Sequence, residues 1–203
     1  MARVPINPGR VDWSGENPGM YLKREEDGPY TTLISFFRVI YSPYGVGHAV
    51  VVLTDPTGTV GGPDQVNACY TDNRDLAQWL VREFVSYFAP FQENPHLPRL
   101  PFRDATSFTR SGDTRRSWTE AIQGPDIDIQ LTWDHLQEPF VVEYEPEHSA
   151  TGKHDMLSLF IPATEATVII NGKKREGRPF PRNMAGKQST TAFLAFSETW
   201  IRR

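Results

Sequence analysis

Short runs of β-branched and aromatic residues, separated by turns rich in proline and glycine, constrain this chain to a mainly β fold. The run DIDIQLTW (126–133) alternates strictly between polar and apolar residues, so its four large apolar side chains share one face of a strand. The runs TTLISFFRVIY (31–41) and GHAVVVLT (47–54) flank the turn SPYGV (42–46), which predicts a hairpin. The 17 prolines and 15 glycines divide the rest of the chain into similarly short segments.

Seven further runs have the composition of strands, and the pair Asn171-Gly172 predicts a type I′ turn between two of them. These runs are QVNACYT (65–71), TSFTRS and RRSWTEAI on either side of a Gly112-Asp113 turn, FVVEYE (140–145), HDMLSLFI (154–161), ATVII (166–170) and TTAFLAFSETWI (190–201).

One segment has a helical period instead. In TDNRDLAQWLVREFVSYF (71–88) large apolar residues recur every four positions, which predicts an amphipathic helix. Asp72 or Asn73 can cap the free N–H groups at its start, and Pro90 ends it. Its apolar face is expected to pack over a sheet or the mouth of a barrel.

The order of these elements predicts the architecture. Strands joined mostly by short turns imply an antiparallel sheet, because a doubly wound parallel fold would alternate strands with helices. We predict a single domain (1–203) built as a closed or half-closed antiparallel β-barrel with one amphipathic helix. A two-sheet sandwich is the alternative. The proline-rich segment 90–102 is predicted to be an extended linker on the surface.

Composition excludes several classes of function. The net charge of -4 and the absence of a basic run argue against a nucleic-acid partner, and no apolar run approaches the roughly 20 residues of a membrane span. Cys69 is the single cysteine, so no intrachain disulfide forms, and the sequence before Trp13 has no signal-peptide pattern. We therefore expect a cytoplasmic protein with no membrane partner. Cys69 itself is expected to be a small buried residue.

Two charged residues stand within apolar strands. Strict alternation would place Glu198 on one face with Phe196 and Trp200, where loss of water would raise the pKa of the carboxyl, as a general acid or base requires. Arg38 is flanked on its own face by Phe36 and by Ile40. A buried arginine needs either a carboxylate partner or an anionic ligand, and both remain open for Arg38.

Histidines provide further candidates for proton transfer. His48 begins the run HAVVV, where either a hydrogen-bonded core residue or a catalytic group is expected. If 140–145 and 154–161 form a hairpin, Glu145 and His154 meet at its closing end, where the carboxylate could tune the imidazole. The sequence has no metal-ligand motif, phosphate-binding loop or nucleophile elbow, so we predict no metal and no cofactor.

The segments ATVIINGKKREGRPFPRN and STTAFLAFSETWIRR resemble the C-terminal part of lipocalin-like (calycin-type) bacterial proteins, including the carotenoid-hydratase-like group. The resemblance rests on the strand pattern and on the aromatic-rich final strand, over about a quarter of the chain. It implies a β-barrel that holds an apolar small molecule, and it transfers no catalytic residue. The Gly-x-Trp opening of lipocalins is absent, since Val11 and Asp12 precede Trp13.

Together these patterns predict a cofactor-independent lyase, hydratase, isomerase or cyclase acting on an apolar or aromatic small molecule inside a barrel. The predicted acid–base residues are Glu198, Glu145 and His154, with His48 as a fourth and Arg38 stabilising negative charge. The predicted pocket lining is Tyr41, Trp133, Tyr144, Phe196 and Trp200. One alternative is a non-catalytic carrier or sensor of a hydrophobic ligand. Another is an interaction module, a homodimer formed through a sheet edge.

Overall fold

The computed structural model describes residues 9–203, which are mainly β. Within that range the chain forms fifteen strands, one α-helix and three short 3₁₀ turns. The strands are β1 (Arg10–Glu16), β2 (Gly19–Lys23), β3 (Tyr30–Tyr41), β4 (Gly47–Leu53), β5 (Asn67–Thr71), β6 (Phe102–Asp104), β7 (Ser107–Asp113), β8 (Ser117–Gly124), β9 (Ile127–Leu136), β10 (Phe140–Tyr144), β11 (His154–Ile170), β12 (Lys173–Lys174), β13 (Pro181–Met184), β14 (Lys187–Thr190) and β15 (Ala192–Arg202). The helix is α1 (Arg74–Glu83), and the 3₁₀ turns are Val85–Tyr87, Ala89–Phe91 and Leu97–Arg99.

Thirteen strands form one mixed sheet with the order β6-β5-β4-β3-β1-β15-β11-β9-β8-β7, to which β2, β10 and β12 add at the sides. Every pairing in it is antiparallel except that of β5 with β6. The two ends of this order, β6 and β7, are consecutive along the chain and are separated only by Ala105 and Thr106. The hairpin of β13 and β14 forms a separate two-stranded sheet.

The sheet curls around one apolar cluster and carries a second on its other face. The inner cluster joins Phe36 on β3 and Val50 on β4 to Leu131 and Trp133 on β9, although β4 and β9 are far apart in the sheet. The outer cluster packs the apolar face of α1 against β1, β3, β4 and β15. Strand β3 is buried on both faces, which explains why its sequence is apolar without alternation.

The helix begins where the sequence predicts and ends earlier. Asn73 caps it, since its side chain accepts a hydrogen bond from the Leu76 N–H. The chain leaves helical geometry at Phe84 (φ -131°, ψ -60°), so the predicted extension to Phe88 is wrong. This break lets the Phe84 ring pack edge-on against Trp13 in the outer cluster, 5.9 Å between centroids.

Asn73 also links the helix to the turn between β3 and β4, so its replacement is expected to destabilise the fold. Its amide Nδ2 donates to the carbonyl oxygens of Tyr44 (2.9 Å) and Val46 (3.0 Å). We expect Asn73→Ala to lower the free energy of unfolding by about 1–2 kcal/mol, the usual cost of losing an N-cap. Urea unfolding measures this difference. Asn73→Asp, which keeps the capping oxygen, should recover part of it, and an unchanged midpoint for the Ala variant would contradict the prediction.

Most predicted strands are present, with some differences. The hairpin of 31–41 with 47–54 is confirmed, whereas 154–161 and 166–170 form the single long strand β11. The predicted extended linker at 90–102 is wrong, because 3₁₀ turns occupy much of it. Cys69 is buried, as expected. Within residues 9–203, no helix is both long and apolar enough to cross a bilayer.

Candidate functional site

A β-bulge in the last strand decides which residues form the site. The register between β11 and β15 shifts so that Ser197 and Glu198 together lie opposite Ser158, and Ser197 takes a positive φ of 51°. The bulge reverses the alternation of side chains. Phe196 packs toward the inner cluster, whereas Glu198 and Trp200 lie on the outer face. The predicted shared face of Phe196 and Glu198 is therefore wrong, and that of Glu198 and Trp200 is right.

Glu198 lines a cleft of about 190 Å³ on the outer face, which we name the Glu198 cleft. Its lining comes mainly from strands β10, β11 and β15, from β13, and from the chain around the second 3₁₀ turn. Its lining is mostly aromatic or apolar. It consists of Asn17, Tyr21, Phe88, Ala89, Pro90, Tyr144, Ala150, Met156, Phe160, Arg182, Met184, Phe193, Glu198 and Trp200.

Glu198 is the acidic residue of this lining, and only 3% of it is exposed. Its Oε1 accepts a hydrogen bond of 2.7 Å from the indole Nε1 of Trp200. Burial among aromatic rings penalises the charged form and raises the pKa of Glu198 to about 7. A carboxyl group with this pKa is present in both protonation states at neutral pH, so it can donate or accept a proton.

Arg182 is the cationic residue of the lining, and sequence reasoning missed it. Its guanidinium lies over the rings of Phe193 (4.5 Å to the centroid) and Tyr21 (5.7 Å). Its Nε and Nη2 atoms are shielded from solvent and have no hydrogen-bond partner among the described residues. The phenol oxygen of Tyr144 accepts a bond of 3.0 Å from the Ala185 N–H, which fixes the hairpin that carries Arg182.

Arg38 lies at a second site, a wide groove of about 830 Å³. Its guanidinium donates to the fully buried carboxylate of Glu120 at 2.7 Å and lies 3.3 Å from that of Glu16. The structure therefore supplies the carboxylate partner that a buried arginine requires. Burial raises the pKa of Glu120, whereas Arg38 and the hydrogen bond from Trp118 lower it. Sequence reasoning also missed Glu120, because an isolated glutamate in a half-polar strand looks exposed.

His48 belongs to the same groove, and both of its ring nitrogens are engaged. Nδ1 lies 2.6 Å from the Asp72 carboxylate, which can only accept, so Nδ1 carries the proton. Nε2 then accepts from Arg38 Nη1 at 2.7 Å, and the ring stacks on Phe108. Because the Nε2 lone pair already accepts a hydrogen bond, His48 has no free nitrogen that could take a proton from a ligand. The groove is larger than the Glu198 cleft, but its histidine is not available as a base.

His154 is paired with Asp12 rather than with Glu145. It is fully buried, with Nε2 2.9 Å from the Asp12 carboxylate and Nδ1 2.7 Å from the Thr151 hydroxyl. Burial lowers the pKa of His154, against the opposing effect of Asp12. Glu145 is exposed. The predicted Glu145–His154 pair is therefore wrong, and neither residue lines the Glu198 cleft.

The predicted aromatic lining is divided among different parts of the fold. Tyr144 and Trp200 line the Glu198 cleft. Trp133 is buried in the inner cluster with its indole N–H bonded to the Gly19 carbonyl, and Phe196 packs against that cluster. Tyr41 is 53% exposed at the end of β3. These three do not line the cleft, because the bulge and the curl of the sheet separate them from Glu198.

One group of described residues has the spacing of metal ligands. Asp134, His135 and Glu165 each offer one ligand atom, and these atoms lie within 4.8 Å of one another. His135 and Glu165 are exposed, and exposed acidic groups of this kind are common without an ion. The Glu198 cleft, with its buried carboxyl and aromatic walls, is the stronger candidate for chemistry.

Comparison of the chain with family models, with curated proteins and with solved structures finds no match. The functional assignment therefore depends on the geometry of the cleft alone.

Proposed function

We propose that this protein is a cofactor-independent enzyme of the lyase, hydratase, isomerase or cyclase type, acting on an apolar or aromatic small molecule in the Glu198 cleft. The observation that supports it best is a buried carboxyl group on the wall of an aromatic cleft. Such a group is costly to bury, so its position favours a chemical role over a packing role.

Glu198 would act as the acid–base group. As a carboxylate it removes a proton from a C–H bond next to a carbonyl or a conjugated double bond, and the C–H electron pair moves into that π-system. As a carboxylic acid it returns a proton to a different carbon or oxygen. The Trp200 N–H holds the carboxyl group in place through either step. These reaction classes need positioned acids and bases and no further reagent, except water in a hydratase.

For the fold we propose a calycin-like barrel, as the resemblance to lipocalin-like proteins implies. Two features support closure: the inner cluster draws on strands far apart in the sheet, and β6 continues directly into β7. The inner cluster contains large side chains such as Trp133, Phe36 and Leu131, so we place the ligand on the outer face instead of inside the barrel. A cytoplasmic location and a homodimer stay predictions.

Exchange of substrate hydrogen for solvent deuterium tests the proposed function. The protein would be incubated in D₂O with single-ring compounds that carry a carbonyl-activated C–H or a conjugated double bond, and proton NMR would follow each C–H signal. We expect loss of one signal faster than in the protein-free control, because Glu198 exchanges its proton with solvent between turnovers. Glu138→Gln, which changes an exposed glutamate, is the matched control and should leave the rate unchanged.

A carrier or sensor would behave differently in the same experiment. It would shift or broaden the ligand signals, which shows binding, while every C–H exchanged at the protein-free rate. That result across the panel would contradict the enzyme proposal and support the carrier.

A further inference from the structure

We propose that the ligand of the Glu198 cleft is a single-ring aromatic carboxylate, and that Arg182 binds its carboxylate group. The inference rests on the proposed function in one respect, since it takes the Glu198 cleft as the ligand site. It adds the substrate class, which Glu198 alone does not define.

The unpaired atoms of Arg182 match a carboxylate in geometry. Nε and Nη2 lie on the same edge of the guanidinium, so their N–H bonds point in parallel toward one partner. These are the two atoms that are shielded from solvent and lack an acceptor among the described residues, so the Arg182 side chain must turn to present them to a ligand in the cleft. A carboxylate offers two oxygens at the spacing of these two donors, which gives the bidentate pair that arginine forms with such groups.

Among the described residues, Arg182 differs from the other partly buried arginines in having two shielded donors without an acceptor, whereas Arg38 and Arg175 each have one, Nε. Arg38 contacts the carboxylates of Glu120 and Glu16, and Arg202 contacts that of Asp12. Arg182 has aromatic rings against its faces and no carboxylate partner within the described residues. A guanidinium stays charged at neutral pH, so burying its donors without an acceptor is unfavourable until an anion arrives.

The size and the walls of the cleft define the rest of the ligand. An apolar cavity of about 150 Å³ holds one benzene ring. The cleft measures about 190 Å³, which leaves room for one ring and a carboxylate. Tyr144, Phe160 and Trp200 provide aromatic contacts for that ring.

A phosphate ligand fits this cleft less well. Among the described residues, Arg182 is the only cationic residue in its lining, so a second negative charge would have no partner there. Glu198 in the same lining would repel a dianion further whenever it is ionised. A planar monoanion attached to an apolar ring has a single negative charge, which Arg182 alone can pair, and ionised Glu198 repels it less than it repels a dianion.

Binding of benzoate and of its neutral analogue benzamide tests the inference. Isothermal titration calorimetry at pH 6 would compare the two probes on the wild type and on Arg182→Gln. We expect the wild type to bind benzoate at least about tenfold more tightly than benzamide, because a hydrogen bond to a charged group contributes strongly when it is desolvated. Arg182→Gln should lose that preference and keep its affinity for benzamide.

Two controls make the comparison specific. Arg178→Gln removes an exposed arginine that also stacks on an aromatic ring, Phe180, and should leave the preference for benzoate intact. A crystal structure of the wild type with 4-bromobenzoate needs no variant. It should place the carboxylate within hydrogen-bond distance of Arg182 Nε and Nη2, with bromine deeper in the cleft.

The outcomes separate this inference from the proposed function. Equal affinity of the wild type for benzoate and benzamide, or a benzoate preference that survives Arg182→Gln, would overturn the carboxylate assignment and leave acid–base catalysis by Glu198 standing. Arg182-dependent benzoate binding without any deuterium exchange would overturn the enzyme and confirm the ligand class. Competition by inorganic phosphate at equal strength would replace the carboxylate with a phosphate group.

Discussion

Replacing Glu198 with Gln is expected to lower the rate of solvent deuterium exchange by about 100-fold or more, the usual contribution of one positioned acid–base group. The amide has nearly the same shape, and its oxygen can still accept the hydrogen bond from Trp200. Ligand affinity should therefore change only a few-fold. The measurement is the exchange rate at saturating ligand, together with the dissociation constant from calorimetry.

Glu138→Gln serves as the control here too, since it removes an exposed carboxylate from a strand-free segment. A variant that keeps more than about a tenth of the wild-type rate would contradict the role of Glu198, whatever its affinity. The pH profile gives a second readout, because the rate should change most steeply near pH 7, where the carboxyl group titrates.

Titration of Glu198 makes the stability of the wild-type protein depend on pH. Because burial raises the pKa of Glu198 from 4.5 to about 7, the folded state holds a proton between those pH values that the unfolded state has released. Wild-type stability therefore loses about 3 kcal/mol from this group as the pH rises from 4.5 through 7. His154, whose pKa burial lowers, contributes with the opposite sign below its ordinary pKa of 6.5.

The difference between the wild type and Glu198→Gln isolates the Glu198 contribution, because His154 is common to both. Urea unfolding at pH 4.5 and at pH 8 should show the variant gaining about 3 kcal/mol relative to the wild type between the two conditions. A difference that stays constant with pH would show that Glu198 has an ordinary pKa in the folded protein.

Local patterns in the sequence predicted much of the fold because they depend on near neighbours. Alternation in 126–133 places the apolar side chains of β9 on its inner face, and the Asn73 cap lies at the first turn of the helix. The order of strands in the sheet depends on pairing between segments far apart in sequence, such as β1 with β15, which no single segment encodes. Composition alone predicts that the chain is mainly β, and it does not predict which strands pair.

The site was less predictable, and the bulge is the main reason. Ser197 adopts a positive φ although serine rarely does, so nothing in TTAFLAFSETWI marks the point where alternation reverses. Glu198 and Trp200 were found because both lie beyond the bulge and share a face. Arg182 follows Pro181 in a polar stretch, and only the fold of the β13–β14 hairpin brings it over the rings of Tyr21 and Phe193.

The second large effect is expected at Asp12, which stands at the centre of a buried ion cluster. Its carboxylate accepts from Arg202 Nε (2.8 Å), from His154 Nε2 (2.9 Å) and from Arg10 Nη2 (3.1 Å), and its side chain is 1% exposed. Burial raises the pKa of Asp12, but the hydrogen bonds from His154 and Arg202 outweigh it and hold the pKa below its usual value.

Asp12→Ala should lower the free energy of unfolding at pH 7 by about 3–5 kcal/mol, because it leaves buried donors without an acceptor. Urea unfolding measures the loss. Asp64→Ala is the control, since it removes an exposed ion pair with Lys173 and should cost less than about 1 kcal/mol. If Asp12→Ala cost no more than Asp64→Ala, the buried hydrogen bonds of Asp12 would add nothing to the stability of the fold, which would contradict the prediction.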